Sequence, residues 1–306
     1  MSERKRAEFR GSADNRLIAD DFCPDNKSAM NRPAALFMHG GGQTRHSWRG
    51  AAQQFTALGM RALSLDARGH GDSDWVEDKN YSAFAFRDDL RVVADELTQQ
   101  HAGQAPILIG ASMGGISAML AQVDGNGRTG KPWFTAIILV DITPRMTSTG
   151  VDKILGFMTR NVEKGFASVE EAADVIAAYL PNRPRPRNNE GLRKNLRQRD
   201  DGRWYWHWDP AFVNGKRAIE TSAEERQRRL LDATARIDVP TLLVRGSKSE
   251  LVSQEAVEEF QTLVPHAKFV DVTDAGHMVA GDKNDVFASA VMQFLTENVL
   301  RAVSAR

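Results

Sequence analysis

The sequence contains a single cysteine, Cys23, and no long apolar stretch. One thiol cannot form an intrachain disulfide, which argues against a disulfide-built secreted scaffold. The first residues, "MSERKRAEFRG", are charged and lack the apolar core of a secretory signal. No run of about 18 apolar residues occurs, so no membrane span is expected. These absences together predict a soluble, cytoplasmic protein.

Neither sign of charge is in excess, since 40 Lys and Arg residues balance 40 Asp and Glu residues. A nucleic-acid-binding protein normally carries a basic surplus, so nucleic acid is not an expected partner. The sequence has no H-E-x-x-H motif and no cysteine cluster, and its glycine-rich loops do not match phosphate-binding fingerprints. We therefore expect no metal and no cofactor, and a small molecule as the partner. The sequence gives no signal of oligomeric state.

Short apolar runs alternate with helix-length segments along the chain. Continuous apolarity over about five residues is typical of strands buried on both faces of a parallel sheet. The predicted strands are Ala34–Met38, Arg61–Leu65, Ile107–Ile109, Ala136–Val140, Thr241–Val244 and Lys268–Val272. Apolar residues at helical spacing predict helices over Tyr81–Gln99 and Gln254–Leu263, and "AEFRGSADNRLIADDF" predicts an N-terminal hairpin. The alternation indicates the α/β class.

The segment between Val140 and Pro240 interrupts this rhythm, because it shows helical patterns and no clear strand. We interpret residues 145–236 as a helical insertion into a core formed by residues 1–144 and 237–306. Basic residues from 183 to 203 suggest a solvated surface, with a polyanion site as the alternative. The aromatic residues Trp204, Tyr205, Trp206 and Trp208 are candidates to line a substrate pocket, and the alternative is that they anchor the insertion to the core.

Ser112 is the candidate nucleophile. It lies in Gly110-Ala111-Ser112-Met113-Gly114, a G-x-S-x-G motif between the strand-like "PILI" and the helix-like "GISAMLAQ". This context is the one that a nucleophile elbow requires, because small neighbours let the strand and the helix approach closely and leave the hydroxyl exposed. The alternative interpretation is a glycine-rich packing turn.

A serine hydroxyl needs a base to accept its proton, and the base needs an acid to fix its tautomer. His277 is the best placed of seven histidines, because it follows the last predicted strand, where open α/β sheets gather their chemistry. Glu250 follows the preceding strand by a short loop and is the favoured acid. Asp141, at the end of the strand before the insertion, is the second candidate.

The oxyanion that forms during attack needs two backbone donors. "HGGG" follows the first parallel strand, so the amides of Gly41 and Gly42 can converge on the oxyanion, with the Met113 amide as the second donor. His39 and the residues Asp66 and His70 of "DARGHGDSD" are interpreted as loop braces without a chemical role.

Taken together, these motifs resemble the α/β-hydrolase superfamily. "HGGG", "DARGHGDSD", "GASMGG", "VRGSKSELVS" and "DAGHMVAGD" stand in the family's order, and the order of Ser112, Glu250 and His277 is that of its triad. The resemblance implies a mostly parallel eight-stranded sheet with helices on both faces and a helical cap inserted after strand 6. The chain is similar to the capped branch that includes esterases, epoxide hydrolases, haloperoxidases and meta-cleavage C–C hydrolases. Epoxide hydrolases of this fold attack with an aspartate, whereas position 112 is serine.

The expected function is that of a serine carboxylesterase, which cleaves a small-molecule carboxylic ester through an acyl-enzyme on Ser112. A lactone or a thioester is an alternative substrate. A meta-cleavage C–C hydrolase is the second candidate, although that group commonly has tryptophan where Met278 stands. Met278 is also a candidate pocket residue. A cofactor-free perhydrolase or haloperoxidase and a non-catalytic ligand-binding scaffold complete the alternatives.

Overall fold

The computed structural model describes residues 3–24, 32–123, 127, 130–181, 188–215, 222–277, 279 and 284–300. Eight of its strands form one sheet. These strands are β1 (Glu3–Arg10), β2 (Arg16–Cys23), β3 (Ala35–Met38), β4 (Ala62–Leu65), β5 (Ile107–Ala111), β6 (Ala136–Val140), β9 (Thr241–Gly246) and β10 (Lys268–Val272). Their order in the sheet is β1-β2-β4-β3-β5-β6-β9-β10. Only β2 runs against its neighbours in this sheet, and the pairs from β4 to β10 are parallel. The predicted mostly parallel sheet of eight strands is confirmed.

The central strands are continuously apolar because both faces of the sheet are covered. On β5, Leu108 packs into one buried cluster, while Ile107 and Ile109 pack into a second cluster on the other face. Every residue of β6 is buried. Alternate side chains of a strand point to opposite faces, so both sets must be apolar where helices cover both sides.

Helices supply both covering layers. The helices of the described residues are α1 (Arg49–Ala57), α2 (Ala83–Gln100), α3 (Met113–Gln122), α4 (Ser148–Thr159), α5 (Val169–Tyr179), α6 (Ala211–Asn214), α7 (Ala223–Ala235), α8 (Gln254–Leu263) and α9 (Asn284–Leu295), of which α4, α5 and α6 lie in the insertion after β6. Phe55 of α1 and Phe287 of α9 cover one face of the sheet. Leu90 of α2, Met119 of α3 and Phe260 of α8 cover the other face.

Helix α7 was predicted within the insertion, but it packs on the core. Its residues Leu230 and Ala233 are buried in the same cluster as Met119 of α3, and the Thr234 hydroxyl contacts the Met119 sulfur at 3.3 Å. The apolar side of this short amphipathic helix packs against α3, one of the helices that cover the sheet. The part of the chain that stands apart from the sheet therefore ends before α7.

The insertion follows β6, the sixth strand, and has a small apolar core of its own. This core contains Met158, Val162, Phe166, Val169, Ala172, Leu196, Trp206 and Trp208. The insertion also contains a hairpin that the sequence did not predict, in which β7 (Leu196–Gln198) pairs antiparallel with β8 (Trp204–Trp206). Each strand is three residues long, too short for a period-two pattern to stand out.

The basic residues at the surface of the insertion take part in local contacts. The Arg193 guanidinium lies 5.0 Å from the Trp204 ring, and that of Arg199 lies 3.8 Å from the Tyr205 ring. Arg203 donates to the Lys164 carbonyl oxygen at 2.6 Å. Residues 182–187, the start of the basic segment, lie outside the described residues.

The described ranges contain neither a candidate membrane span nor a candidate metal site. Over these ranges, no helix combines the length and the apolarity that crossing a bilayer requires. Within the same ranges, no group of three His, Cys, Asp or Glu side chains is placed to hold a metal ion.

Candidate active site

Ser112 occupies a strained turn between β5 and α3. Its backbone has φ +47° and ψ −114°, a left-handed region that is costly for a residue with a side chain. Such strain persists only where the surroundings fix the backbone. Here the Ser112 amide donates to the Val140 carbonyl at 3.3 Å, and the Ser112 carbonyl accepts from the Ile116 amide at 3.0 Å. The predicted strand–turn–helix context of the serine is thus present.

The glycines of the motif are needed because the backbones around them almost touch. A Cβ atom on Gly110 would lie 2.6 Å from the Gly114 carbonyl carbon. A Cβ atom on Gly114 would lie 2.5 Å from the Met38 carbonyl oxygen, and one on Gly115 would lie 2.2 Å from a methyl group of Ile142. Only hydrogen fits at these positions, and this close fit seats the first turn of α3 against the neighbouring strand ends.

Asp141 and His277 are in direct contact in the candidate site. Strands β5 and β6 are parallel with Ala111 opposite Val140, so Ser112 and Asp141 leave the same edge of the sheet side by side. Asp141 is fully buried, and its Oδ2 lies 2.7 Å from Nδ1 of His277. Further donors to its carboxylate are the Gly246 amide at 3.0 Å and the Ser249 hydroxyl at 2.6 Å. Asp141, the second candidate for the acid, is therefore the residue that meets His277.

The structure corrects the choice of Glu250, which the sequence analysis favoured as the acid. Its side chain is 63% exposed and forms an ion pair with Lys153 of α4. The turn after β9 explains the difference, because Ser249 points inward to Asp141 while its hydroxyl also accepts from the Leu251 and Val252 amides. This arrangement directs the next side chain, that of Glu250, toward solvent.

The predicted oxyanion loop lies against Ser112. A Cβ atom on Gly40 would lie 3.3 Å from Cβ of Ser112. The Gly42 amide, however, donates to Nε2 of His70 at 3.2 Å and is thus already engaged, which corrects its expected role as an oxyanion donor. None of the hydrogen bonds found within the described ranges uses the Gly41 amide. Gly41 and Met113, whose amide heads α3, remain the two candidate donors.

His39 and His70 are fully buried braces of this loop, as their sequence context indicates. Nε2 of His39 accepts from the Ala67 amide at 3.1 Å, and its Nδ1 lies 2.8 Å from the Gly40 carbonyl oxygen. Burial lowers the pKa of His39 to about 4 and the pKa of His70 to about 3. Both imidazoles are therefore neutral at physiological pH.

Side chains of the insertion cover the glycine loop. A Cβ atom on Gly41 would lie 3.1 Å from the Phe212 ring, and one on Gly42 would lie 3.0 Å from Cε of Met158. Trp208 also faces Gly42, because its indole nitrogen would lie 3.6 Å from a Cβ atom on Gly42. The roof above the candidate site is therefore apolar.

Trp204 and Trp206, predicted to line a pocket, serve the insertion itself. Trp206 is buried between Phe157 and Phe166, with ring centroids 5.7 and 5.0 Å away. The Trp204 backbone pairs with Phe166 in an isolated bridge. Met278 lies outside the described residues.

The described hydrogen bonds include the one between His277 and Asp141 and do not include one between Ser112 and His277. Hydroxyl and imidazole in unliganded sites are often too far apart or poorly aligned until substrate binds. Two further contacts escaped sequence reasoning, namely Ser249 with Asp141 and His70 with Gly42. Their only sequence signal is that each residue stands in a loop at the carboxyl edge of the sheet.

Comparisons with known proteins identify the family of the chain. The model of the alpha/beta hydrolase family matches residues 35–290. The chain is 30% identical over 256 residues to an esterase of Mycobacterium tuberculosis, which covers 82% of this chain and 78% of the esterase. It is 28% identical to an sn-1-specific diacylglycerol lipase of Mus musculus, over 86% of this chain and 81% of the lipase.

A solved structure gives the same result for the fold. An alpha/beta hydrolase of Novosphingobium aromaticivorans superposes with a TM-score of 0.75 over 97% of this chain and 99% of its own. Its sequence identity is 20%, so the likeness concerns the fold alone.

Proposed function

The chain belongs to the alpha/beta hydrolase family, and from this membership we propose that it is a serine hydrolase that cleaves carboxylic esters. The observation that carries the proposal is the 2.7 Å contact between His277 Nδ1 and the buried carboxylate of Asp141, beside the strained turn of Ser112. In this proposal the triad is Ser112, His277 and Asp141.

Each residue has a definite task in the proposed reaction. Asp141 accepts a hydrogen bond from the Nδ1–H of His277, so the proton stays on Nδ1 and Nε2 has a lone pair to accept the Ser112 proton. The Ser112 oxygen then bonds to the ester carbon, and the carbonyl oxygen becomes an oxyanion. His277 returns the proton to the departing alcohol. Water, activated by the same imidazole, releases the acid from Ser112.

The amides of Gly41 and Met113 are the proposed oxyanion donors. Donors of this kind act on charge that develops only in the transition state, and the loss of one typically costs about 3 to 4 kcal/mol. The position of Met113 at the start of α3 adds the positive end of the helix dipole.

Two observations support an ester as the substrate. Two relatives of the chain are named as an esterase and as a lipase that acts on diacylglycerol, and both act on esters by those names. The apolar roof formed by Met158 and Phe212 suits an ester with an apolar acyl or alcohol group.

The test is hydrolysis of p-nitrophenyl esters by wild-type protein and by Ser112→Ala. We expect the variant to lose at least about a thousand-fold in kcat, because removal of the nucleophile removes the covalent route. A fluorophosphonate probe should label the wild type at Ser112, as located by mass spectrometry of the digested protein.

Ser117→Ala is the matched control, since Ser117 lies one turn further along α3 and its hydroxyl only donates to the Met113 carbonyl at 2.9 Å. This variant should keep its activity. Retention of most of the activity by Ser112→Ala would refute the proposal.

A further inference from the structure

We propose that His70 is a positioning residue for oxyanion stabilisation, because it fixes the Gly42 amide and thereby aims the Gly41 amide at the oxygen of the bound ester. This inference rests on the proposed function. It gives a mechanistic role to a residue that belongs to neither the triad nor the oxyanion donors.

The hydrogen bonds of His70 determine which nitrogen carries its proton. Nδ1 lies 3.0 Å from the Arg68 carbonyl oxygen, which can only accept, so Nδ1 carries the hydrogen. Nε2 then has the lone pair, and the Gly42 amide donates to it at 3.2 Å. Complete burial keeps the ring uncharged, so this acceptor persists over the whole pH range in which the protein is expected to work.

The glycine run needs this hold because it has no side chains of its own to fix it. Gly42 has φ +75°, and glycine loses more conformational freedom on ordering than any other residue. On the other side of Gly41, the Gly40 amide donates to Oε1 of Gln43 at 3.1 Å. The Gly41 peptide is therefore held from both sides, by Gln43 through Gly40 and by His70 through Gly42.

The position of His70 is itself fixed by the core and by the insertion. Its ring meets the Phe212 ring edge-on at 4.8 Å between centroids. Its backbone pairs with Trp208 in an antiparallel bridge, and the neighbouring Gly71 amide donates to the His207 carbonyl at 2.7 Å. A side chain with this many constraints holds its partner amide in one place, which is what a preorganised oxyanion site requires.

The experiment compares an ester with the matching thionoester, in which sulfur replaces the carbonyl oxygen. Sulfur is the weaker hydrogen-bond acceptor, so the thionoester gains less from the oxyanion amides. His70→Leu removes the acceptor for Gly42, and His70→Gln keeps a side-chain oxygen at a similar reach.

We expect His70→Leu to lower kcat for the ester by about 10- to 100-fold, less than or equal to the loss of a donor itself, with little change in KM. The thionoester rate should fall much less, so the ester-to-thionoester ratio should drop. His70→Gln should restore most of that ratio. An unchanged ratio would overturn the inference, since a merely structural defect lowers the rates with both substrates alike.

His101→Leu is the control for the loss of a buried histidine. His101 is fully buried and lies 3.1 Å from the Arg32 carbonyl oxygen, before β3, at the opposite end of the strands from His39. Its variant should reduce the unfolding temperature without changing the substrate ratio.

Hydrogen exchange at the Gly42 amide provides a readout that is independent of activity. Exchange should be faster in His70→Leu than in the wild type and in His101→Leu, because only His70→Leu frees this amide. Equal exchange rates in the two leucine variants would also overturn the inference. A wild type without esterase activity would refute the proposed function instead, and the exchange result would still decide whether His70 holds the loop.

Discussion

At the scale of single residues, two carboxylates of similar chemistry differ in what surrounds them. Asp141 is fully buried with three neighbouring donors, while Glu250 is largely exposed and pairs with a surface lysine. A buried acceptor with satisfied oxygens can hold an imidazole in one tautomer and orientation. An exposed ion pair contributes little beyond its local contact.

This contrast gives a prediction for two conservative substitutions. Asp141→Asn should lower kcat for ester hydrolysis by about 10⁴-fold, because an amide at this position favours the wrong tautomer of His277. Glu250→Gln should stay within about twofold of the wild type, since it disturbs only an exposed pair. Steady-state kinetics on one p-nitrophenyl ester measures both variants. A Glu250→Gln variant as impaired as Asp141→Asn would mean that the acid is assigned wrongly.

The choice between these acids shows what the sequence could and could not provide. The motif around Ser112 is local, so its residues alone predicted the turn. The partner of His277 is 136 positions away in the chain, and Asp141 and Glu250 both follow strands that end at the same sheet edge. What distinguishes the two acids is the turn at Ser249, which points inward to Asp141 and leaves Glu250 facing solvent. This turn includes hydrogen bonds from the Leu251 and Val252 amides to the Ser249 hydroxyl.

At the scale of elements, helix α3 can approach the sheet closely because Gly114 and Gly115 have no side chains. The turn of α3 that contains Gly114 and Gly115 sits against the ends of β3 and β6, with no room for a methyl group at either residue. Gly156 of α4 offers the opposite case, because a Cβ atom there would have nothing within 4 Å. Glycine at position 114 is therefore required by packing, whereas glycine at position 156 only lowers the helix propensity of α4.

We predict opposite effects for alanine at these two glycines. Gly114→Ala should lower the free energy of unfolding by about 1 to 3 kcal/mol, because its methyl group meets backbone oxygens that cannot move aside easily. Gly156→Ala should raise it by about 0.5 to 1 kcal/mol, since alanine is the better helix former at an exposed interior position. Urea unfolding of both variants tests this pair. A Gly114→Ala protein as stable as the wild type would contradict the close approach of α3.

Elements were predictable where burial gave them a long pattern. The six predicted core strands are short runs rich in apolar residues, and all six occur in the sheet. The hairpin of β7 and β8 was missed because each strand spans three residues and Arg197 and Gln198 are exposed. The sequence of helix α7 shows an apolar face without showing that the residues of α3 pack against it.

At the scale of the whole molecule, the equal numbers of acidic and basic residues include several buried pairs. Arg45 contacts Asp20 and Asp66, and Arg68 contacts Asp89, with side chains at most 8% exposed. Breaking one partner of such a pair leaves a buried charge uncompensated, which typically costs about 3 to 5 kcal/mol. The loops around the candidate site are thus held by paired charges and by neutral buried histidines.

The buried histidines make the stability of the whole fold depend on pH. The folded pKa values of His39 and His70 are lowered to about 4 and about 3 by burial, whereas an unfolded histidine titrates near 6.5. Below about pH 6.5 the unfolded chain therefore binds protons that the folded chain excludes. The free energy of unfolding should fall with decreasing pH from about 6.5 to 4, by about 1.4 kcal/mol per pH unit for each histidine.

Urea unfolding at pH 6.5 and 4.5 measures this loss in the wild type and in His70→Gln. Carboxylate protonation affects both proteins alike, so the difference between them isolates one histidine. Over these two pH units the variant should lose less stability than the wild type, by up to about 3 kcal/mol. An equal loss in both proteins would mean that His70 accepts a proton in the folded state, and the neutral acceptor that holds Gly42 would then fail at the same pH.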